Sequence, residues 1–218
     1  MIDTVACSTA VAIFARPPVA GQVKTRLAAT LGDAAALDVY RRLLAMTLES
    51  ASGSGYPCVM FAAAPSAELA RMADEYGVSF RLQQGHGLGE RMVRAIDELH
   101  QQYQRVLLIG SDCPELAPHH LQRGFAALAA ASVVLGPAED GGYWLIGSSE
   151  ALLWRDHKLL DPVSFGGPEA LAMTLSCLQY HGATIAMLAA LWDLDTEADY
   201  RRAVSAGLLG QSDQNHGM

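Results

Sequence analysis

The stretch RVLLIGSDCP, residues 105–114, joins the most strand-like run of this 218-residue chain to a tight acidic exit. Val, Leu and Ile dominate the run, which predicts a strand buried on both faces of a sheet. Gly110 allows a sharp turn directly after the strand, and Pro114 stiffens the segment that follows. Asp112 is therefore expected just beyond the carboxyl end of a buried strand.

Similar apolar runs alternate with helical patterns along the rest of the chain. Further strands are expected at residues 11–14, 58–63, 78–82, 133–135, 143–146 and 184–188. Helices are expected at residues 33–50 (capped by Asp33), 67–76 (capped by Ser66), 90–103, 118–130, 168–180 and 197–206. This order predicts a three-layer α/β/α fold with a Rossmann-like, mixed and mostly parallel sheet. With no repeat or linker visible, we expect one domain over residues 1–218, with a polar tail at about 211–218.

The composition bounds the function. Hydrophobic residues make up 51% of the chain and charged residues 17%, which suits a large core. A formal charge of −8 argues against nucleic-acid binding, so an anionic ligand would need a local cationic pocket or a metal. No apolar run approaches the roughly 20 residues of a membrane span, and the N-terminus shows no export signal. Four scattered cysteines predict free thiols, so we expect a cytoplasmic protein.

The segment FARPPVAGQVKTRL, residues 14–27, follows the first predicted strand and carries three cations, Arg16, Lys24 and Arg26, around Gly21. It is not a Walker A loop, because Val23 occupies the second required glycine position, and no dinucleotide fingerprint follows the strand. Arg26 can contact phosphate oxygens with two prongs, and Lys24 can act as a point charge. The alternative is a set of surface charges ahead of a helix, but three cations in an acidic protein favour a phosphate-binding role.

The acidic exit at Asp112 supports two interpretations. A carboxylate at a strand end can ligate Mg²⁺ or Mn²⁺, which take oxygen ligands and often bridge a carboxylate to substrate phosphates. The alternative is an aspartate that caps the turn before the next helix.

A second acidic segment, GPAEDGGYW, lies at residues 136–144. Asp140, with Glu139 in reserve, is a candidate for activating or orienting an acceptor hydroxyl. Gly141 and Gly142 allow the backbone to approach a ligand closely, and Tyr143 can form a wall. The alternative is a β-hairpin, because Asp-Gly is a strong turn signal.

A third acidic segment, WDLDT, lies at residues 192–196. Alternation along an extended chain places Asp193 and Asp195 on one side, which suits a metal-binding pair. The D-x-D-x-T motif of haloacid-dehalogenase-type phosphatases is a rival, but the threonine comes one residue early and the segment is too near the C-terminus. Thr196 is expected to cap the last helix, which leaves both aspartates available.

Taken together, these segments resemble the DUF2064 group of nucleotide-diphospho-sugar transferases with the GT-A fold. The matching segments, in the family's order from Phe14 to Asp199, are FARPPVAGQVKTRLA, QGHGLGERM, LIGSDCPEL, GPAEDGGYWLIG and LWDLDTEAD. The family is also similar to small nucleotidyltransferases such as the molybdenum-cofactor and phospholactate guanylyltransferases.

The resemblance implies a site. The residues expected at the nucleotide are Arg16, Gly21, Lys24, Arg26, Gln84, Gly89, Glu90, Arg91 and Ser111. The metal, Mg²⁺ or Mn²⁺, is expected on Asp112, with Asp193 and Asp195 as further ligands. Lys24, Arg26 and Asp140 are the expected catalytic residues.

The implied activity is a metal-dependent glycosyl transfer from a nucleotide-diphospho-sugar to a small-molecule acceptor. The alternative is nucleotidyl transfer from an NTP to a small phosphorylated or carboxylated acceptor, with release of pyrophosphate, and a third possibility is nucleotide binding without turnover. One segment departs from the family: relatives carry Ile-x-Trp-Ser/Thr where this chain has Val163-Ser164-Phe165-Gly166. The donor and acceptor are therefore not carried over from the family.

Overall fold

A computed structural model describes residues 8–210 of the chain. The strands are β1 (Thr9–Ala15), β2 (Cys58–Ala62), β3 (Ser79–Leu82), β4 (Arg105–Ile109), β5 (Val133–Pro137), β6 (Tyr143–Ser148) and β7 (Ile185–Met187). The helices are α1 (Thr25–Leu31), α2 (Asp33–Ser52), α3 (Ala67–Glu75), α4 (Leu88–His100), α5 (Pro118–Ala127), α6 (Ala170–Tyr180) and α7 (Glu197–Ser205). A short 3₁₀ helix spans Ala151–Arg155.

The strands form one seven-stranded sheet in the order β3-β2-β1-β4-β6-β5-β7. β1, β2, β3 and β4 are parallel to one another, and β7 is parallel to β5. β6 runs antiparallel to both of its neighbours, β4 and β5. The expectation of a mixed, mostly parallel sheet is confirmed.

Helices cover both faces of the sheet, which confirms the three-layer architecture. Alternate residues of β1 enter opposite cores, because successive strand side chains point to opposite faces. Val11 and Ile13 pack with Leu44 of α2, whereas Ala12 packs with Ile96 of α4 on the other face. These two cores fix the ends of β1 and β4, where the acidic and basic segments emerge.

Two helix starts follow the predicted capping. The Ser66 side chain accepts a hydrogen bond from the Leu69 backbone N–H, and Thr196 caps α7 by accepting from the Asp199 backbone N–H. The cap predicted at Asp33 is wrong: Gly32 occupies the cap position and Asp33 is the first residue of α2.

The sequence did not predict helix α1 (Thr25–Leu31). The position before it, Lys24, has left-handed backbone angles and makes no capping hydrogen bond through its side chain, so none of the usual start signals is present. As a result Arg26 lies on a helix, where we expected a loop.

Residues 8–210 contain no helix that is both long and apolar enough to cross a bilayer. The single domain and the cytoplasmic location stay predictions, and the polar tail expected at about residues 211–218 lies outside the described residues.

Candidate functional site

A cleft of about 620 Å³ opens at the carboxyl ends of β1 and β4, beside the turn that joins β5 to β6. Ligands of open α/β sheets bind at this edge, and the volume suits a small-molecule ligand. The expected site residues that line it are Arg16, Lys24, Arg26, Arg91, Ser111, Asp112, Asp140, Gly142, Tyr143, Asp193 and Asp195.

A second depression, of about 670 Å³, lies at the opposite edge of the sheet, near Tyr103, Arg105 and Glu150. It lies at the amino ends of β1 and β4, and its lining includes none of the expected site residues. The cleft at the carboxyl ends is therefore the candidate site.

Lys24 joins the basic and acidic segments at the centre of the cleft. Its ammonium contacts Asp112 Oδ1 and lies 3.0 Å from Asp195 Oδ1. The Lys24 side chain is only 3% exposed, whereas the two carboxylates are 44% and 41% exposed. Burial lowers the pKa of Lys24, but the two carboxylates outweigh that effect and raise it above its ordinary value, so the ammonium is charged.

Asp193 carries the clearest mark of crowded negative charge. Burial raises the pKa of Asp193 to about 7, with further contributions from the charges of Asp112, Asp140 and Asp195, while Lys24 opposes the shift. One ammonium thus stands among four carboxylates. The negative charge of the cluster is not fully neutralised by Lys24, so an additional cation would be attracted to it.

The described residues contain no group of three or more His, Cys, Asp or Glu side chains already arranged as a metal cage. The donor set nevertheless suits a hard divalent cation, because it consists of carboxylate oxygens with an excess of negative charge. Asp112 and Asp195 already converge on one cation, the Lys24 ammonium. The residues present therefore fit Mg²⁺ or Mn²⁺, with Asp112 and Asp195 as the ligands that this geometry favours. A ligand role for Asp193 stays a prediction.

Arg16 is fixed at the end of β1 by a tyrosine that the sequence analysis missed. The Tyr40 hydroxyl accepts a hydrogen bond from the Arg16 backbone N–H at 2.9 Å and donates one to the Arg16 carbonyl at 2.8 Å. Burial raises the pKa of Tyr40, so it remains a neutral donor. The helical spacing predicts Tyr40 in the core, and only the fold shows that its hydroxyl reaches the loop.

Replacing Tyr40 by Phe is expected to lower the free energy of unfolding by about 1 kcal/mol, because it removes this pair of hydrogen bonds. It should also weaken binding of nucleoside diphosphates, since the Arg16 backbone is released. Urea unfolding and calorimetric titration with UDP and GDP measure the two effects. Tyr180→Phe, at a side chain that is 87% exposed, is the control. Equal unfolding free energies for Tyr40→Phe and Tyr180→Phe would contradict the expectation.

The side chains of Arg16 and Arg26 have no ion-pair or hydrogen-bond partner within residues 8–210. Arg91 reaches the cleft from α4 and donates from Nε to the Gly85 carbonyl at 3.0 Å. These three guanidinium groups line the cleft and have no carboxylate partner in the described part of the chain, so they are available to an anionic ligand.

The turn between β5 and β6 is both the hairpin and the cleft wall that we had weighed as alternatives. Asp140 Oδ1 accepts a hydrogen bond from the Gly142 backbone N–H at 2.9 Å and lines the cleft. Gly141 instead packs against Pro168: it has a φ of +89°, and a Cβ there would lie 2.1 Å from the Pro168 carbonyl oxygen. Gly141 is thus required for the turn.

Glu139 is exposed and lies outside the cleft lining. Both of its carboxylate oxygens accept hydrogen bonds from Arg202, at 2.7 and 3.1 Å. This pairing lowers the pKa of Glu139. The arrangement does not favour Glu139 as the reserve for Asp140.

Other expected residues also lie outside the cleft lining. These are Gly21, Gln84, Gly89 and Glu90. Glu90 accepts hydrogen bonds from the His86 backbone N–H and from Arg94, and a Cβ on Gly89 would lie 2.9 Å from the Leu160 carbonyl oxygen. Glu90 and Gly89 therefore shape the loop ahead of α4. Ligand roles for these residues stay predictions.

The cleft also contains residues that sequence reasoning did not assign to the site. They include Tyr40, Ala63, Gln83, His86, Leu88, Met92, Phe165, Gly166, Gly167 and Ala170. For Gln83, His86, Leu88 and Met92, the signal in the sequence was the glycine-rich segment at residues 85–89. The family resemblance over this segment assigned Gln84, rather than Gln83, to the site. The Tyr143 hydroxyl approaches Thr174 Oγ1 at 3.5 Å, so Tyr143 offers its ring, rather than a polar group, to this side of the cleft.

Cys113 follows the proposed metal ligand but should be unreactive. Burial raises the pKa of both Cys58 and Cys113 to about 12, so at pH 8 the thiolate fraction is on the order of 10⁻⁴. Among the three cysteines of residues 8–210, we expect N-ethylmaleimide to label the partly exposed Cys177 first, as mass spectrometry of the folded protein would show. Unfolded protein, in which all thiols react, is the control. Labelling of Cys113 as fast as Cys177 in the folded protein would contradict this.

Comparisons with known proteins show a family match and a shared fold for this chain. The model of a family described as "Uncharacterized protein conserved in bacteria (DUF2064)" matches residues 47–166. That range includes Asp112 and Asp140 but neither Lys24 nor Asp195. A search of the curated proteins found no match.

Solved structures share the fold over nearly the whole chain. A Desulfovibrio desulfuricans G20 protein, provisionally assigned as a nucleotide-diphospho-sugar transferase, is 25% identical with a TM-score of 0.81, and the match covers 96% of this chain and 91% of that one. A nucleotidyl transferase from Methanothermobacter thermautotrophicus is 16% identical (TM-score 0.63, coverage 92% and 98%). Glucosyl-3-phosphoglycerate synthase from Mycobacterium tuberculosis, in complex with Mn²⁺, UDP and glucosyl-3-phosphoglycerate, is 12% identical (TM-score 0.54, coverage 97% and 83%).

Proposed function

The chain belongs to the DUF2064 family, and from this membership and the geometry of its cleft we propose that it is a metal-dependent enzyme that transfers a glycosyl group from a nucleotide-diphospho-sugar to a small-molecule acceptor. The chain is an enzyme of the transferase class that uses nucleotides, as the proteins that share its fold indicate. The observation that carries the finer proposal is the meeting of Lys24 with Asp112 and Asp195 in a cleft that Arg16 and Arg26 also line, two arginines whose side chains have no partner among the described residues.

The cleft lining contains both kinds of charge. Arg16 and Arg26 suit the diphosphate of a nucleotide sugar, because guanidinium groups bind phosphate oxygens with two hydrogen bonds. Asp112 and Asp195 suit a divalent cation. A diphosphate bridged to a metal would therefore find complementary charge for both of its parts.

Glycosyl transfer requires alignment of donor and acceptor, and stabilisation of charge on the departing diphosphate. A divalent cation held by Asp112 and Asp195 would supply much of that stabilisation. Arg16 and Arg26 hold the departing phosphates. Asp140 has one oxygen committed to the Gly142 backbone N–H, which orients the carboxylate so that it can accept a hydrogen bond from an acceptor hydroxyl.

Nucleotidyl transfer from an NTP is the second candidate, and the arginines of the cleft favour it. Departing pyrophosphate carries more negative charge than a nucleoside diphosphate, and Arg16, Arg26 and Arg91 offer it several guanidinium groups. A nucleotidyl transferase is among the proteins that share the fold. The two candidates differ in the bond that breaks: sugar C1–O in the first, and the bridge between the α and β phosphates in the second.

A ligand panel followed by product analysis tests the proposal. The melting temperature is measured with UDP-glucose, GDP-mannose, UDP, GDP, CTP and GTP, each with and without Mn²⁺. Stabilisation by a nucleotide sugar that requires Mn²⁺, followed by slow release of nucleoside diphosphate, is the expected result. Stabilisation by an NTP with release of pyrophosphate would establish the second candidate instead. No Mn²⁺-dependent stabilisation by any of the six would overturn both.

A further inference from the structure

Lys24 occupies the position that a metal ion shared by Asp112 and Asp195 would need. Its ammonium contacts one oxygen of Asp112 and lies 3.0 Å from one oxygen of Asp195. The lysine is buried, while both carboxylates keep close to half of their surface open to the cleft. A cation that enters the cleft therefore encounters two carboxylates whose negative charge is already partly neutralised by the Lys24 ammonium.

The ammonium and a divalent ion cannot share this position. Mg²⁺ binds carboxylate oxygens at about 2.0–2.1 Å, so an ion on both aspartates would stand almost in contact with the ammonium. Repulsion between like charges at such a separation is strong in a site that is partly shielded from water. A metal ion can take both aspartates only if the ammonium moves away.

Phosphate bound to the other two cations of the same segment would give the Lys24 ammonium a new partner. Arg16 and Arg26 line the cleft without a partner within the described residues, so phosphate groups bound to them would lie beside Lys24. Lysine has a flexible four-carbon stem, so its ammonium can change partner without movement of the backbone. Bound phosphate would replace the lost carboxylates as the counterion of Lys24.

We propose that Lys24 is an internal counter-cation. Its ammonium prevents free metal ions from binding to Asp112 and Asp195, and it moves away from the two aspartates when a diphosphate binds. This inference rests on the proposed function, because it takes Asp112 and Asp195 as the metal ligands. Metal and diphosphate then bind cooperatively, and the cooperativity is reciprocal: each ligand tightens the other by the same factor. The ligand class that opens the site is a diphosphate, whichever base or sugar it carries.

A titration with Mn²⁺ tests the proposal without any turnover. Binding is measured as the loss of the electron paramagnetic resonance signal of the free ion. Inorganic pyrophosphate is the probe, because it carries the diphosphate without a base, and a protein-free titration corrects for its own Mn²⁺ binding. Wild type should bind Mn²⁺ weakly alone and at least about fivefold more tightly with pyrophosphate. Lys24→Met should bind Mn²⁺ alone at least about tenfold more tightly than wild type, with little further gain from pyrophosphate.

The chain contains two lysines, which provides a matched control. Lys158 is exposed and lies outside the cleft lining, so Lys158→Met removes the same charge and should leave Mn²⁺ binding unchanged. Asp112→Asn should abolish Mn²⁺ binding under every condition. If Asp112→Asn behaves in this way but Lys24→Met binds Mn²⁺ no more tightly than wild type, the role of Lys24 is overturned while the metal site stands. If no Mn²⁺ binding depends on Asp112, the metal assignment itself fails.

A measurement on the unaltered protein covers the case in which Lys24→Met does not fold. With ¹⁵N-labelled lysine, the side-chain nitrogens give one signal from Lys24 and one from Lys158. Mg²⁺ and pyrophosphate together should shift the Lys24 signal and leave that of Lys158 in place, whereas Mg²⁺ alone at the same concentration should shift it less. Equal Lys24 shifts with and without pyrophosphate, or none at all, would overturn the proposal.

Discussion

Replacing Asp112 by Asn is expected to lower kcat/KM for the transfer reaction by about 10²–10³, because the variant loses the carboxylate that anchors charge stabilisation at the departing phosphate. The substitution keeps the shape of the side chain, so the fold should persist. Initial rates with the donor identified by the ligand panel, at the Mn²⁺ concentration that saturates the wild-type protein, measure the effect. The loss should appear in kcat as well as in KM, since the stabilised charge develops during the reaction.

Glu139→Gln is the matched control for this substitution. Glu139 is another acidic residue near the cleft, but its carboxylate pairs with Arg202 outside it. We expect the kcat/KM of Glu139→Gln to stay within about twofold of wild type, because exposed ion pairs contribute little to stability. If Asp112→Asn retained full activity, Asp112 would not be the metal ligand. If Glu139→Gln lost as much activity as Asp112→Asn, the conclusion that Glu139 takes no part in the reaction would be wrong.

Replacing Asp193 by Asn is expected to stabilise the metal-free protein at alkaline pH. The pKa of Asp193 is raised from 3.8 to about 7, so the folded state holds its proton more tightly than the unfolded state does. Ionisation of Asp193 therefore costs stability progressively as pH rises from about 4 to about 7, a cost on the order of 2–4 kcal/mol. Asn carries no charge and avoids it. In EDTA at pH 8 the variant should melt about 5 °C or more above wild type, and at pH 4 the two should nearly coincide.

Asp195→Asn tests the same region with the opposite expectation. Asp195 lies 3.0 Å from the Lys24 ammonium, so we expect the loss of this attraction to exceed the relief of the repulsion between Asp195 and Asp193. The variant should melt below wild type at pH 8 in EDTA. If Asp193→Asn and Asp195→Asn changed the melting temperature in the same direction at pH 8, the account of the cluster as one ammonium among four carboxylates would be wrong.

The sequence was sufficient for the architecture because the central strands β1, β2 and β4 are apolar on both faces and two helices carry recognisable caps, Ser66 and Thr196. It was insufficient for α1, since Lys24 starts that helix with a left-handed backbone and no capping side chain. No local sequence pattern predicts a helix that begins in this way. Arg26 was therefore assigned to a loop although it belongs to a helix.

The convergence of the site was predictable, but its internal pairing was not. Strand ends of a parallel sheet meet at one edge, and this brought Arg16, Asp112 and Asp195 to one cleft. The ion pair between Lys24 and Asp195 joins residues 171 positions apart, and no local rule reveals it. Lys24 was expected to face phosphate, whereas the structure places it between two carboxylates.

Single-residue choices next to a turn were the least predictable. Glu139 and Asp140 are adjacent and chemically alike, but only Asp140 lines the cleft. Gln84 and Gln83 present the same ambiguity, and the structure selects Gln83. In each case the direction of a side chain depends on the exact position at which the strand ends, and a shift of one residue reverses it.

The reversed direction of β6 has a consequence for how such an enzyme diversifies. The hairpin that carries Asp140 is held by β5 and β6, while Lys24 and Asp112 emerge from the ends of β1 and β4. Insertions or exchanges at the hairpin tip can therefore alter what receives the transferred group and leave the machinery for the activated donor in place. Under the proposed activity, relatives with unlike acceptors should differ most at this tip and least around Asp112, a division of labour that the strand order builds into the scaffold.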